Sequence, residues 1–221
     1  MLTVLAAGPL ATVQDRGRAG YAAIGVPRSG AADAGAAGLA NRLVGNDDSA
    51  AVLEATAGGL RLRAERTVLV AVTGAPAPLS PGARLPVGHL RAEEPFVDVA
   101  GVAAPSSAPV LRVLPGPRRD WLDPGAWTAL TRQGWTVTAD SNRVGLRLAG
   151  PELARARTDE LPSEGLVAGA VQVPPDGAPV LFLADHPVTG GYPVLAVVTT
   201  ADLGAAAQLR PGDSLRFRPV R

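Results

Sequence analysis

Apolar residues along this chain occur in short runs, many of them β-branched and bounded by glycine or proline. Runs of this length and composition predict buried β-strands. Two further segments alternate leucine or phenylalanine with arginine, which is typical of strands with one exposed face. The predicted buried strands are residues 68–72, 110–114, 180–183 and 194–198, and the predicted half-exposed strands are 60–63 and 215–218. Repeated short strands separated by turns predict a mostly-β barrel or sandwich.

The sequence predicts few helices, and all of them are short. Residues 32–44 carry apolar side chains at helical spacing, and the stretch stops at Gly45, a residue common just past helix ends. A second helix is expected to begin at Pro124, with Asp123 as its N-cap, and to end near Gly134. A third is expected to start at Asp202 and to run to residue 209. The Pro-rich, weakly periodic region 76–109 indicates a boundary near Pro105, which gives predicted domains 1–105 and 106–221.

Composition excludes several classes of chemistry. The formal net charge is +1, so the chain offers no electrostatic footprint for nucleic acid or for an anionic membrane. All 21 basic residues are arginine, and cysteine is absent. Without lysine the chain alone provides neither a P-loop, nor a Schiff base, nor a biotin attachment site. With no cysteine and two histidines we expect no metal site. The lack of a signal pattern predicts a cytoplasmic location.

The richest polar segment follows the predicted strand 180–183. Asp185 and His186 are candidate acid/base residues, although neighbours on a strand point to opposite faces and His186 can equally be a surface group. The glycine pair after them can form an anion-binding nest or simply a turn between strands. Its candidate ligand-binding residues are Thr189, Gly190, Gly191 and Tyr192.

Three other loops carry candidate groups. Asn142 and Arg143 offer an amide and a bidentate guanidinium for a carboxylate or phosphate, but Asp-Ser-Asn is also ordinary turn chemistry. Glu164 supplies a carboxylate just before a predicted strand, where a solvated turn is the alternative. Near the N-terminus, a loop can bind an anionic substrate through its arginines and use the Asp15 carboxylate as a base. The alternative is a salt bridge formed within the loop itself. The candidate residues of that loop are Gln14, Asp15 and Arg18.

Several of these segments together resemble one family. They are residues 12–21 (TVQDRGRAGY), 25–33 (GVPRSGAAD), 40–46 (ANRLVGN), 113–117 (VLPGP), 140–143 (DSNR) and 163–192. Their order and spacing make the chain similar to the biotin-dependent carboxyltransferase-type proteins. That family includes the C subunit of bacterial 5-oxoprolinase, the KipA proteins and allophanate hydrolase subunit 2.

The resemblance implies a fold of two packed cyclophilin-like β-barrels and an intracellular subunit. It implies ATP-dependent opening of 5-oxo-L-proline to L-glutamate, with ATP bound in a complex. The implied partners are a KipI-like protein, which is the B subunit of 5-oxoprolinase, and the A subunit of the same enzyme. In the urea carboxylase branch it implies carboxyl transfer to urea or a related amide, with biotin carried on another chain. A third alternative is a non-catalytic KipA-type regulator of a KipI-like protein.

One departure from the family lies in the first half. After residues 73–76 the family pattern continues through several strands, whereas here residues 78–82 pass directly to the end of that region near residues 85–88. Strands are therefore expected to be missing, which leaves the first barrel shortened.

Overall fold

A computed structural model of the chain describes residues 2–74 and 105–220. The chain forms two compact units. The first comprises Met1–Gly17 and Asp33–Pro105, and the second comprises Arg18–Ala32 and Ser106–Arg221. The short segment Arg18–Ala32 thus belongs with the C-terminal half, which the sequence did not predict. The domains 1–105 and 106–221 stay a prediction, because a compact unit is not by itself a domain that folds alone.

Strands dominate both units, as the mostly-β prediction required. The strands of the first unit are β1 (Leu2–Ala7), β2 (Leu10–Gln14), β3 (Val52–Thr56) and β4 (Leu60–Ala64). Those of the second unit are β5 (Val110–Pro115), β6 (Gly134–Val137), β7 (Gly145–Ala149), β8 (Glu164–Gly165), β9 (Ala170–Gln172), β10 (Val180–Phe182), β11 (Thr189–Gly190), β12 (Val194–Val198) and β13 (Ser214–Pro219). The α-helices are α1 (Ala34–Leu43), α2 (Ala126–Arg132) and α3 (Leu203–Ala207).

Seven strands of the second unit close into a barrel. Their order is β10-β7-β6-β13-β5-β12-β9, and pairing of β10 with β9 completes the ring. Pairing is antiparallel except between β5 and β13. Closure removes free sheet edges, which otherwise invite aggregation. The expected barrel is therefore confirmed for the C-terminal half.

The barrel core follows from the alternation in the sequence. On β13, Leu215 and Phe217 are each 1% exposed, whereas the intervening arginine is exposed. Leu111 and Val113 on β5 are fully buried in the same alternating way. Trp135 on β6 joins them, and its indole Nε1 donates to the carbonyl of a leucine on α2 at 3.0 Å. One tryptophan thus connects a barrel strand to the helix beside it, with its polar atom satisfied.

The ribbon of β8 and β11 stands outside this ring. Gly190 of β11 is the register partner of Glu164 of β8, and Thr189 pairs with Gly165. The chain enters β8 after a long irregular stretch and leaves β11 toward β12. The ribbon therefore brings two predicted site segments side by side.

In the first unit, the described strands form two ribbons, β1 with β4 and β2 with β3. The prediction of a strand at residues 68–72 is wrong, because these residues follow an irregular path. An apolar run gives a local preference only, while a strand also needs a neighbouring backbone in register. The segment where strands were expected to be missing, residues 78–88, lies outside the described residues.

The helix predictions hold with shifted ends. Helix α1 is capped by Asp33, whose Oδ1 accepts from the N–H of Ala36 at 2.9 Å. Helix α2 begins at Ala126, two residues later than expected, because Asp123 accepts from the N–H of Gly125 in a local turn. No helix in residues 2–74 or 105–220 is long and apolar enough to span a membrane.

Candidate functional site

An ion pair joins the loop before β7 to the loop after β10. Arg143 Nε lies 3.0 Å from Asp185 Oδ2, and the Arg143 side chain is only 9% exposed. The backbone prepares this contact, since Leu183 N–H donates to Val144 O and Asp185 N–H donates to Arg143 O. These bonds continue the pairing of β10 with β7 past the strand ends. Two candidates that the sequence placed in separate loops therefore meet in one cluster.

A third segment, Arg18–Ala32, closes on this ion pair. The Ser29 hydroxyl donates to Asp185 Oδ1, and the guanidinium NH2 of Arg143 donates to Gly30 O at 2.6 Å. Ser29 has a backbone φ of +54°, a region that non-glycine residues seldom occupy. Such a conformation persists where surrounding contacts stabilise it. Here Asp185 binds the serine hydroxyl and Arg143 binds the carbonyl of the next residue. We call Ser29, Gly30, Arg143 and Asp185 the latch.

The latch fixes the base of a loop that carries Arg18. The N–H of Arg18 donates to Arg28 O at 2.8 Å, which closes the loop just before Ser29. The charge of Arg18 is close enough to lower the pKa of Asp185. Its side chain is exposed. The arrangement presents one solvent-facing guanidinium beside a fixed carboxylate.

Electrostatics keeps Asp185 ionised. Partial burial alone would raise the pKa of the Asp185 carboxyl, but hydrogen bonds from Arg143 and Ser29 and the charges of Arg143 and Arg18 outweigh it. The pKa therefore lies below its ordinary value. A carboxylate held in this way is a weak proton acceptor, which favours a positioning role over general-base catalysis.

A second ion pair lies at the β8–β11 ribbon. Arg118 Nε lies 2.9 Å from Glu164 Oε1, and the Arg118 guanidinium NH2 donates to the same oxygen. The hydrogen bond from Arg118, helped by its charge, holds the pKa of Glu164 below its ordinary value despite some desolvation. Both side chains remain about one-third exposed, at 38% and 30%. This pair is the more accessible of the two.

Gly116 is what lets Arg118 reach this place. Its N–H donates to Leu195 O, and the N–H of Arg118 donates to Val194 O, so residues 116–118 run along β12. A Cβ at Gly116 would overlap Val194 O, a backbone atom that cannot move aside cheaply. Glycine is therefore required by the close approach of two backbones.

The remaining candidates near β11 are arranged differently from the sequence expectation. Thr189 and Gly190 lie in strand β11, and their extended backbone does not form the anion nest that was considered. The His186 Nδ1 lies 2.8 Å from the carbonyl oxygen of the next residue, which is a local contact. The carbonyl of Tyr192 accepts from a glutamine side chain of β9 at 2.9 Å, while Gly191 follows the strand. Gly190 directly neighbours a predicted acid/base group, through its pairing with the glutamate of β8.

The other predicted residues make local turn contacts. Asn142 Oδ1 accepts from the N–H of Val144 at 2.8 Å, which is the turn alternative for this loop. In the first unit, the side-chain amide of Gln14 donates to a threonine hydroxyl on its own strand, and Asp15 Oδ1 accepts from the N–H of Gly17 at 2.7 Å. Within residues 2–74 and 105–220 no group of three or more His, Asp or Glu side chains is placed to hold a metal ion.

Sequence reasoning missed two side chains that the structure brings into the clusters, those of Ser29 and Arg118, and the backbone carbonyl of Gly30. Ser29 stands in the segment 25–33 that carried the family resemblance, so its place in that motif was an available signal. Arg118 directly follows the resembling segment 113–117. Neither pattern reveals its partner, because Asp185 and Glu164 are 156 and 46 residues away.

The fold and the sequence that builds it belong to a known class of protein. The family model of the carboxyltransferase domain, subdomains A and B, matches residues 24–80 and 76–219 of this chain. The chain therefore belongs to the carboxyltransferase domain family, as the resemblance predicted.

Relatives within this class fall into two groups. The chain is 30% identical to the C subunit of 5-oxoprolinase from Escherichia coli (strain K12), in an alignment that covers 98% of this chain and 90% of the relative. It is 27% identical to the Haemophilus influenzae protein of the same name, covering 100% and 91%. Urea amidolyase of Lachancea kluyveri is also 27% identical, over 98% of this chain but 17% of that much longer protein.

Solved structures also match over nearly the whole of this chain. A crystal structure of TTHA0988 matches with a TM-score of 0.79 at 30% identity, covering 98% of this chain. This chain spans only 56% of TTHA0988. The Kluyveromyces lactis urea carboxylase matches with a TM-score of 0.76 at 26% identity, covering 100% of this chain and 27% of that one.

The comparisons also support an internal deletion. The alignment with the Escherichia coli protein extends over 282 positions, more than the 221 residues of this chain, so the relative has residues for which this chain has none. The two family-model matches meet at residues 76–80, where the sequence predicted missing strands. A shortened first half agrees with both observations and stays a prediction.

Proposed function

We propose that this chain is a subunit of an ATP-dependent 5-oxoprolinase complex and takes part in opening 5-oxo-L-proline to L-glutamate. The observation that carries the proposal is the similarity to two 5-oxoprolinase C subunits, which extends over nine-tenths of their length. The latch and the Arg118–Glu164 pair lie within the residues that match the family model, and Arg18 lies shortly before them. A shared fold alone does not imply a shared reaction, so the proposal also depends on what the charged clusters can do.

The clusters suggest separate roles in this reaction. The substrate carries a carboxylate, and the exposed guanidinium of Arg18 is suited to bind it. The latch holds the Arg18 loop in place through Ser29 and Gly30. Glu164, ionised beside Arg118, is suited to accept a hydrogen bond from the water that attacks the activated amide carbonyl, and so to orient that water. Because its pKa is lowered, it is unsuited to serve as a general acid.

We assign the remaining components to other chains. The chain has no lysine and no phosphate-binding signature, so we place the ATP site in the complex with a KipI-like protein and the A subunit of 5-oxoprolinase. Such an assembly would work in the cytoplasm. The opening of the amide would then need residues from more than one subunit.

A second function is carboxyl transfer to urea or a related amide. It is favoured by the match to the Kluyveromyces lactis urea carboxylase, whose TM-score of 0.76 is close to that of TTHA0988. In this case biotin would arrive on another chain, and Arg18 would meet a carboxylated donor instead of an amino-acid carboxylate. Both reactions act on an amide, so the two functions are distinguished by the substrate that is consumed.

A substrate panel separates the two functions. The chain, co-purified with a KipI-like protein and the A subunit, is supplied with ATP and either 5-oxoproline or urea, the latter with and without a carboxybiotin carrier. Glutamate formed from 5-oxoproline alone supports the proposal. Carboxylation of urea without glutamate formation would establish the alternative. Binding of the KipI-like protein with neither product would indicate a regulatory role.

A further inference from the structure

Gln172 is a polar side chain buried in the barrel wall. It is 3% exposed, and among the described residues it and Asn41 are the buried polar side chains. It lies at the end of β9 between Val171 and Val173, both fully buried. Burying a carboxamide is costly unless it is hydrogen-bonded, so its presence among valines calls for a specific partner.

That partner is the segment just after β11. Gln172 Nε2 donates to Tyr192 O at 2.9 Å. The same amide packs against Gly190, where an added Cβ would lie 2.7 Å from Nε2. The absence of a side chain at Gly190 permits this contact, and the Gln172 amide thus contacts both ends of the segment Gly190–Tyr192.

The supported segment is the one that places Glu164. Gly190 and Glu164 are directly opposed in the antiparallel ribbon, and opposed residues direct their side chains to the same face. The Cβ position of Gly190 also lies 2.7 Å from Leu166 Cδ1, which places Leu166 against the Gln172 side of the ribbon. The Glu164 carboxylate then meets Arg118. A continuous set of contacts thus leads from Gln172 through Gly190 to Glu164.

We propose that Gln172 is a positioning residue for the reaction: its buried carboxamide fixes the Gly190–Tyr192 segment and thereby the place of Glu164 beside Arg118. This role rests on the proposed function for Glu164's part in the chemistry, but its structural half stands on the second unit alone. A ribbon of two-residue strands has few ladder hydrogen bonds of its own. It therefore depends on support from the barrel wall.

Packing alone does not require glutamine here. A small apolar cluster of Leu166, Ala170, Phe182 and Val194 lies in the same part of the unit. A methionine of similar length would fit such surroundings and would avoid the desolvation of an amide. What methionine cannot do is donate to Tyr192 O, so the amide provides direction as well as volume.

Two variants test the positioning role by different routes. Gln172→Met removes the donor while keeping the length of the side chain. Gly190→Ala keeps the donor but pushes the amide away, against two flexible side-chain ends rather than backbone. The matched control is Asn41→Leu, which removes another buried amide, one that donates to Ala50 O at 2.7 Å in the first unit.

The first measurement is the pKa of Glu164, obtained from an NMR titration of its carboxyl carbon in the chain without partners. In the wild-type protein it should lie below the ordinary value. In Gln172→Met and Gly190→Ala it should rise toward that value, because Glu164 is no longer held beside Arg118. Asn41→Leu should leave it unchanged. The second measurement is turnover in the assembled complex, where both variants should lower kcat about tenfold or more with little change in KM.

The outcomes separate the positioning role from the proposed function. If the assembled complex makes no glutamate, the proposed function fails, while the pKa of Glu164 still decides the positioning role. If Gln172→Met does not fold, Gly190→Ala carries the test. Folded variants in which the pKa of Glu164 equals that of the wild type would overturn the inference, as would full turnover in both.

Discussion

Removing the Arg143 side chain should destabilise the second unit, because it removes the hydrogen bonds of the guanidinium to two partners at once. In Arg143→Ala the Asp185 carboxylate keeps the Ser29 hydroxyl but loses the guanidinium, and the Gly30 carbonyl loses its bond to the same group. Breaking a fully buried ion pair costs about 3–5 kcal/mol. The Asp185 side chain is 32% exposed, so water recovers part of this loss and we expect about 2 kcal/mol. For a chain of this size that corresponds to a fall in Tm of about 4–8 °C.

Arg143→Lys should recover little of this stability. A single ammonium cannot satisfy the carboxylate and the carbonyl in the geometry of a planar guanidinium. The assay is urea unfolding of Arg143→Ala, Asp185→Ala and the double variant, from which the coupling energy between the two residues is obtained. Asp120 and Arg157, 3.6 Å apart and both more than half exposed, provide a control pair with expected coupling below about 1 kcal/mol. Coupling at Arg143–Asp185 no larger than in this control would show that the latch contributes nothing to stability.

Three further predictions concern the same unit. Gly116→Ala should unfold the unit at distinctly lower urea, because the new Cβ would overlap Val194 O; an unchanged midpoint would show that the backbones separate freely. The folded-state pKa of Asp185 lies below its ordinary 3.8, so its stabilising contribution is complete above about pH 4 and is lost as the pH falls through the folded value. Asp185→Asn should therefore show a shallower loss of stability below about pH 4 than the wild type, and parallel acid curves would contradict this. Arg18→Ala should raise the KM for 5-oxoproline about tenfold in the complex with an unchanged Tm, whereas a fall in kcat alone would exclude carboxylate binding.

Local pattern was enough to find strands β5, β10, β12 and β13 of the second unit. The apolar run 194–198 coincides with β12, and 110–114 lies within β5, because β-branched residues in a short run favour a strand wherever a partner exists. The same pattern at residues 68–72 produced no strand. A five-residue run does not indicate whether a partner strand is present, and this run lies just before the segment where strands are expected to be missing.

The site was predictable in its parts and not in its pairing. Arg143 was expected to bind an anionic ligand with its bidentate guanidinium, yet that group already donates to Asp185 and to the carbonyl of Gly30. That contact depends on the register between β10 and β7, which sequence spacing does not give. Ser29 joins the same cluster from a segment that belongs with the other end of the chain, a placement that no local rule predicts. Arg143, which was expected to bind an anionic ligand, is instead held in the latch, because the register between β10 and β7 places Asp185 beside it.

The most direct test of the proposed function is glutamate formation from 5-oxoproline and ATP by the assembled complex, measured with each component left out in turn. We predict that glutamate and phosphate are produced only when all three components, namely this chain, the A subunit, and the KipI-like protein, are present. Glutamate formation at the full rate without this chain, or none with all three present, would contradict the proposed function.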